Sequence, residues 1–206
     1  MDCYKTVKKE ESVEYTVKKS KFIGHIKNVK SQQEAQSYIA EISKKYWDAT
    51  HNVYAYIIRD DRLKKFSDDG EPSGTAGKPI LEVLEKNELT DVVVIVTRYF
   101  GGTLLGAGGL VRAYSHSASL AVNSGEIITN ALCSRMTVNC DYNFYGKISS
   151  LIPDNGGTIE KTLYEDNVKI IFTLPCHLLD SFNSQLTEAS NGKFSAVETE
   201  RIFAQV

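Results

Sequence analysis

Long apolar runs are missing from this chain. The longest stretches without a charged residue are Tyr99–Val111 and Ala113–Gly125, on either side of Arg112. Both are rich in glycine or serine and shorter than the roughly 20 apolar residues that span a bilayer, which excludes the membrane class. No apolar run follows Met1–Lys5, so no secretory signal and a cytoplasmic location are expected. Cysteine is scarce: Cys3, Cys133, Cys140 and Cys176 form neither a C-x-x-C pair nor a motif with histidine. A zinc site is therefore unsupported, and reduced thiols are the expected state. Cys140 alternates with Met136 and Val138, as a small hydrophobe on the inner face of a strand does. A dominant charge is lacking too, since the net value is -2, which argues against a uniformly basic nucleic-acid binder.

The charge that is present is uneven. Residues 1–130 carry 18 Lys and Arg against 17 Asp and Glu, and residues 131–206 carry 6 against 9. Residues 1–30 hold 8 lysines and 4 acids. Such a local positive field suits a polyanion, and equally suits exposed strands that must not pair with other chains. With 42% hydrophobic residues over 206 positions, the chain is a folded one of a length that fits two domains.

Patterning divides it near residue 130. In residues 1–130, Tyr15–Ser20 and Phe22–Val29 read as strands, tightly joined. A helix starts at Ser31, where Ser31-Gln-Gln-Glu34 fits a capping box and Ala35, Ile39, Ile42 and Tyr46 recur at helical spacing. Asn52–Arg59 reads as a strand, Asp60–Lys65 as a charged stretch, and Ile80–Lys86 as a helix. Asp91–Thr97 is apolar on both faces, as a central strand is, and a helix runs from about Gly106 to Gly125. After a polar connector, Asn123–Asn130, residues 131–206 read strand, helix, strand, strand, helix, strand, the βαββαβ order of a ferredoxin-like unit. The expected fold class is α+β.

Eight of the 14 glycines lie between residues 70 and 109. Three sit at or beside a helix start, where each costs up to about 1 kcal/mol relative to alanine if helical. A strand that delivers Gly101, Gly102, Gly106, Gly108 and Gly109 to a helix N-terminus presents unpaired N–H groups. These favour an anion, and Arg98 and Arg112 bracket them. Lys18, Lys19 and Lys21 would add attraction for phosphate. Alternatively the glycines only let the helix pack closely on the sheet. Walker A fails at Pro72 and Pro79, and G-x-G-x-x-G fails at Val111. A second cluster, His51, Asp68, Asp69, Glu71 and Thr75, suits either acid–base or metal chemistry, or carboxylates that cap turns. A Ser-His-Asp triad can be written from Ser20 or Ser73, His51 and Asp69, but no nucleophile elbow accompanies it. Phe22, Tyr54, Tyr56, Tyr99 and Phe100 suit base stacking or a core. No catalytic residue, metal or cofactor is assigned.

The segment Asp68-Asp-Gly-Glu-Pro-Ser-Gly-Thr-Ala-Gly-Lys-Pro79, with Val96-Thr-Arg-Tyr-Phe-Gly-Gly102, Leu105-Gly106 and Gly109-Leu-Val-Arg-Ala-Tyr114, closely resembles the YigZ/Impact family. Ser20-Lys-Phe22 and His51 fall where that family has such residues. The resemblance covers about residues 15–125, and the C-terminal part resembles the extra domain of bacterial members. It implies a first domain, 1–130, like the second domain of ribosomal protein S5. It implies a second, 131–206, like the fifth domain of elongation factor G. That pairing points to RNA or the ribosome as partner. Eukaryotic members restrain a starvation-responsive translation kinase through an added N-terminal domain; here the motif region starts at about residue 15, so that role is not expected. Three functions follow as expectations. The first is a translation-associated protein that binds RNA phosphate at the Gly-rich, Arg-flanked helix start. The others are a metal-dependent hydrolase or transferase acting on a phosphorylated small molecule, and a protein-interaction module for a translation regulator. Oligomeric state stays open.

Overall fold

The computed structural model describes residues 3–60 and 62–206. These form two compact units, one of Tyr4–Ile128 and one of Thr129–Val206 together with Cys3. Ten strands and five helices follow in the order β1 (Cys3–Val7), β2 (Glu11–Val17), β3 (Ser20–Asn28), α1 (Gln32–Lys45), β4 (His51–Ile58), β5 (Leu63–Ser67), α2 (Gly77–Lys86), β6 (Val92–Tyr99), α3 (Ala107–Ser124), β7 (Ile127–Cys140), α4 (Tyr142–Asp154), β8 (Thr158–Tyr164), β9 (Val168–Pro175), α5 (Leu179–Ser190) and β10 (Ala196–Gln205). The class is α+β, with antiparallel pairing in both units.

In the first unit the sheet order is β2-β3-β6-β4-β5. The central strand β6 is buried on both faces, as its apolar run requires. Val92, Val94 and Val96 pack with Ile80, Leu84, Tyr114 and Ala118 of α2 and α3. Val93 and Ile95 pack on the other face with Ala35, Tyr38 and Ile42 of α1. Helix α1 begins where the capping box places it: Ser31 Oγ accepts from Glu34 N at 3.2 Å. The Glu34 carboxylate takes the N–H of Lys30, at 2.7 Å, rather than that of Ser31.

Three segments differ from the sequence reading. A strand precedes Tyr15: β1 has Val7 in the core and the Thr6 hydroxyl donating to the Asp91 carbonyl at 3.1 Å. The charged stretch continues into strand β5, because lysines at the edge of a sheet keep their heads in water while the backbone pairs with β4. The polar connector ends early, for β7 begins at Ile127. In the second unit the order β10-β7-β9-β8 sets the first and third strands side by side between the fourth and second. This is the split βαβ arrangement. Val168, Ile170, Phe172 and Leu174 face Ile148, Ile152, Phe182 and Leu186, and Cys140 lies among them as a hydrophobe.

A polar chain crosses the α1 face of the first sheet. The Asn52 amide is oriented by its Nδ2, which donates to the Tyr46 carbonyl at 3.2 Å, so its oxygen accepts from Thr97 Oγ1 at 2.7 Å. Thr97 Oγ1, its proton spent, accepts from His25 Nε2 at 3.2 Å, and His25 Nδ1 accepts from Ser12 Oγ at 2.8 Å. Burial, helped by Lys45, pushes the His25 imidazole down from 6.5 to about 4. Above pH 6.5 both folded and unfolded chains hold this ring neutral. As pH falls, the unfolded chain takes up its proton first, so stability is lost between 6.5 and about 4, by roughly 3 kcal/mol from this group. Urea midpoints measured across that range should fall in the wild type and flatten in His25→Asn; parallel profiles would contradict the assignment.

Candidate functional site

Three residues line up across one end of the first sheet. In register, Phe22 of β3 and His51 of β4 both oppose Arg98 of β6. All three face α2 and α3. The loop between β5 and α2 lays Glu71 over this row, and α3 adds Tyr114. Glu71 Oε1 accepts from Arg98 at 2.5 Å and from the Tyr114 hydroxyl at 2.8 Å. Both members of the ion pair are buried, with Arg98 5% exposed. The guanidinium lies 5.5 Å and 5.6 Å from the ring centres of Phe22 and Phe100, and Phe22 meets Tyr114 edge to face at 5.2 Å. Burial first, then the Glu71 charge, pushes Tyr114 ionisation well above the usual phenol range, which keeps it a donor. His51 Nδ1 donates to the Asp69 carbonyl at 2.6 Å, leaving Nε2 3.8 Å from Glu71 Oε1, beyond hydrogen-bond reach.

The remaining acids of the cluster point elsewhere. Asp68 accepts the N–H groups of Gly74, Ala76 and Gly77 at 2.8, 3.1 and 2.8 Å, and so caps α2, whose own N-cap residue is alanine. Asp69, in the left-handed region at φ 44°, accepts the N–H of Asn52 at 2.6 Å. The Thr75 hydroxyl donates to the Pro72 carbonyl at 2.6 Å. Of the two readings left open for His51, Asp68, Asp69 and Glu71, metal chemistry or carboxylates that cap turns, the hydrogen bonds match the second at Asp68 and Asp69, and each of the three carboxylates is committed to a different partner. Among the described residues no three His, Cys, Asp or Glu side chains converge as metal ligands.

Beside this buried cluster runs an exposed rim. Lys18 and Lys19 form the two-residue turn between β2 and β3, at φ 45° and 66°, a backbone state that lysine seldom adopts. The turn is seated on Gly101: a Cβ there would stand 2.0 Å from the Lys19 carbonyl carbon and 2.3 Å from the Ser20 nitrogen. Ser20 Oγ accepts from Gly101 N at 3.1 Å. Gly102 through Gly108 then lead across the surface into α3. Its N-cap, Gly106, sits at φ 71° and offers no side-chain cap. Among the described residues no side-chain cap takes the first N–H groups of this 18-residue helix, around Gly108 and Gly109. Arg112 is exposed on the same helix, and His116, one turn on, lies against Tyr15 with ring centres 4.5 Å apart. The two arginines expected to bracket the helix start thus part company: Arg112 reaches solvent, whereas Arg98 is enclosed. Lys21 is ion-paired with Glu14 at 2.6 Å.

Sequence reasoning alone gives neither Tyr114 nor Asn52 a place in these networks. Tyr114 is the one that a signal could have found, being a large aromatic with a polar tip in a helix of small residues. Gly101→Ala should lower stability by about 1–3 kcal/mol, because backbone must move to admit the methyl group. Glu71→Gln, which leaves a buried cation unpaired, should cost about 3–5 kcal/mol, and Tyr114→Phe about 1 kcal/mol. Urea unfolding measures all three; an unaffected Glu71→Gln would contradict the buried pairing.

Similarities to known proteins cover both units. The Impact N-terminal domain matches residues 18–122, which hold the cluster and the rim, and the domain of unknown function DUF1949 matches residues 138–193. The chain is 41% identical over 203 residues to IMPACT family member YvyE of Bacillus subtilis (strain 168), covering 98% of this chain and 94% of that one. It is 30% identical over 187 residues to IMPACT family member YigZ of Escherichia coli (strain K12), covering 89% and 92%. A crystal structure of a hypothetical protein superposes with a TM-score of 0.62 at 30% identity, over 97% of this chain and 98% of that one. Among the described residues no helix is long and apolar enough to cross a membrane. With the family's domain spanning half of the sequence and its bacterial members aligning along nearly all of it, this chain belongs to the IMPACT family.

Proposed function

We propose that this chain is a translation-associated protein that holds RNA phosphates along the rim and does no chemistry on them. The observation that carries the reading is the uncapped N-terminus of α3 beside a lysine turn seated on Gly101. Backbone N–H groups at a helix start and the helix dipole together favour an anion. Lys18, Lys19 and Arg112 form no ion pair with other described residues, so their charge is available to a polyanion. The strained turn that holds the two lysines supports a binding role, since such strain collects at ligand sites. Arg98, enclosed and paired with Glu71, is not among the groups that the rim offers to phosphate. The commitment of every carboxylate in the neighbouring cluster to internal partners favours binding over catalysis. Family context agrees in outline, for eukaryotic IMPACT proteins are known as translation regulators. A protein partner is the second reading, favoured by Leu104, which is 83% exposed in the same loop.

Fluorescence anisotropy with a labelled single-stranded RNA, over a salt series, tests the first reading. Affinity should fall steeply with salt. In Lys18→Ala/Lys19→Ala/Arg112→Ala the slope of log affinity against log salt should shrink by about 0.7 for each phosphate no longer held. No binding at low salt would overturn the RNA reading and leave the protein partner.

A further inference from the structure

The only tryptophan in the sequence is Trp47, and it is 82% exposed. It lies between α1 and β4, in a connection that is tightly held. Thr50 N donates to the Arg98 carbonyl at 2.9 Å, and Phe100 N donates to Thr50 Oγ1 at 3.1 Å. The Tyr99 hydroxyl donates to Asp48 Oδ1 at 2.8 Å. Trp47 is therefore displayed by a pinned loop at the sheet end where β6 finishes and β3 and β4 begin. That is the end that carries the rim. Phe100, 47% exposed, lies at this end too, one residue before Gly101, with its ring 5.6 Å from the Arg98 guanidinium. Lys44 and Lys45 close the last turn of α1, with only Tyr46 between them and Trp47, so exposed cations share this end of the sheet with the exposed rings.

A large flat ring that a fixed loop holds in water, with lysines at the same end of the sheet, matches the two needs of an unpaired polynucleotide. Bases need faces to stack on and phosphates need cations, and a base has its face free only when it is out of a duplex. A protein partner would be served by the apolar surface but has no general need of the lysines at the same end. Duplex RNA would be served by the lysines but offers no base face. We infer that Trp47 is the base-stacking platform at this end of the sheet, and that the ligand is single-stranded rather than duplex RNA. This rests on the RNA reading above.

The sole tryptophan makes the test direct. Single-stranded oligouridylate and an RNA duplex of equal length are titrated into the 206-residue chain at low salt, following tryptophan emission and, separately, anisotropy of labelled RNA. Oligouridylate should quench the emission, and the duplex should bind without quenching it. Trp47→Ala should weaken oligouridylate by roughly 5- to 100-fold and leave duplex affinity unchanged. Trp47→Phe should retain most of the affinity, which a merely structural residue would not distinguish. Binding of oligouridylate with neither quenching nor loss in Trp47→Ala would overturn the stacking role and leave phosphate binding standing. Absence of any RNA binding would overturn both.

Discussion

One carboxylate organises the end of the first unit's sheet where β6 finishes. Glu71 sits in a loop, yet it is buried and accepts hydrogen bonds from a strand residue, Arg98, and a helix residue, Tyr114. A charge taken out of water persists only where a partner charge and further hydrogen bonds compensate its lost hydration. That requirement fixes three elements at once: the loop before α2, the end of β6 and the middle of α3. Asp68 and Asp69 reinforce it by taking backbone N–H groups from the start of α2 and from β4. The segment of residues 68–77 is thereby a clamp built from carboxylates.

The proposed function rests on a division of labour. The carboxylates that resemble an acid–base centre are engaged inside the clamp, while the rim turns the backbone N–H groups at the start of α3, Lys18, Lys19 and Arg112 to water. Each such contact with an anion is weak alone, about 0.3–1 kcal/mol for a helix terminus. A single small phosphate would gain little from the rim. A polymer that repeats its charge along a strand gains from every contact that can be reached together, which is the physical reason to connect this surface with RNA.

Much of the scaffold was legible in the sequence because periodicity and punctuation report burial. The run Val92–Val96 predicts a strand covered on both faces, and Ser31-Gln-Gln-Glu34 predicts the start of α1, as the structure has them. Elements whose stability comes from partners rather than from their own pattern were not legible. Strand β5 bears lysines and exists because β4 offers it a ladder. The site was legible as a set of residues but not as contacts. Arg98 and Arg112 look alike in sequence, and only the return of Glu71 from 27 positions away buries one and leaves the other in solvent. Likewise Gly101 reads as one of many glycines, whereas its role comes from the Lys19 backbone pressed against it.

The central claim is that RNA phosphate is held at the N-terminus of α3 and the lysine turn beside it. Backbone amide chemical shifts of the isotopically labelled chain, recorded while single-stranded RNA is added at low salt, test it most directly. The account predicts that Gly102, Gly106, Ala107, Gly108 and Gly109, together with Lys18 and Lys19, shift most, and that added salt returns them. Shifts that leave these amides unmoved and gather elsewhere on the surface would contradict it.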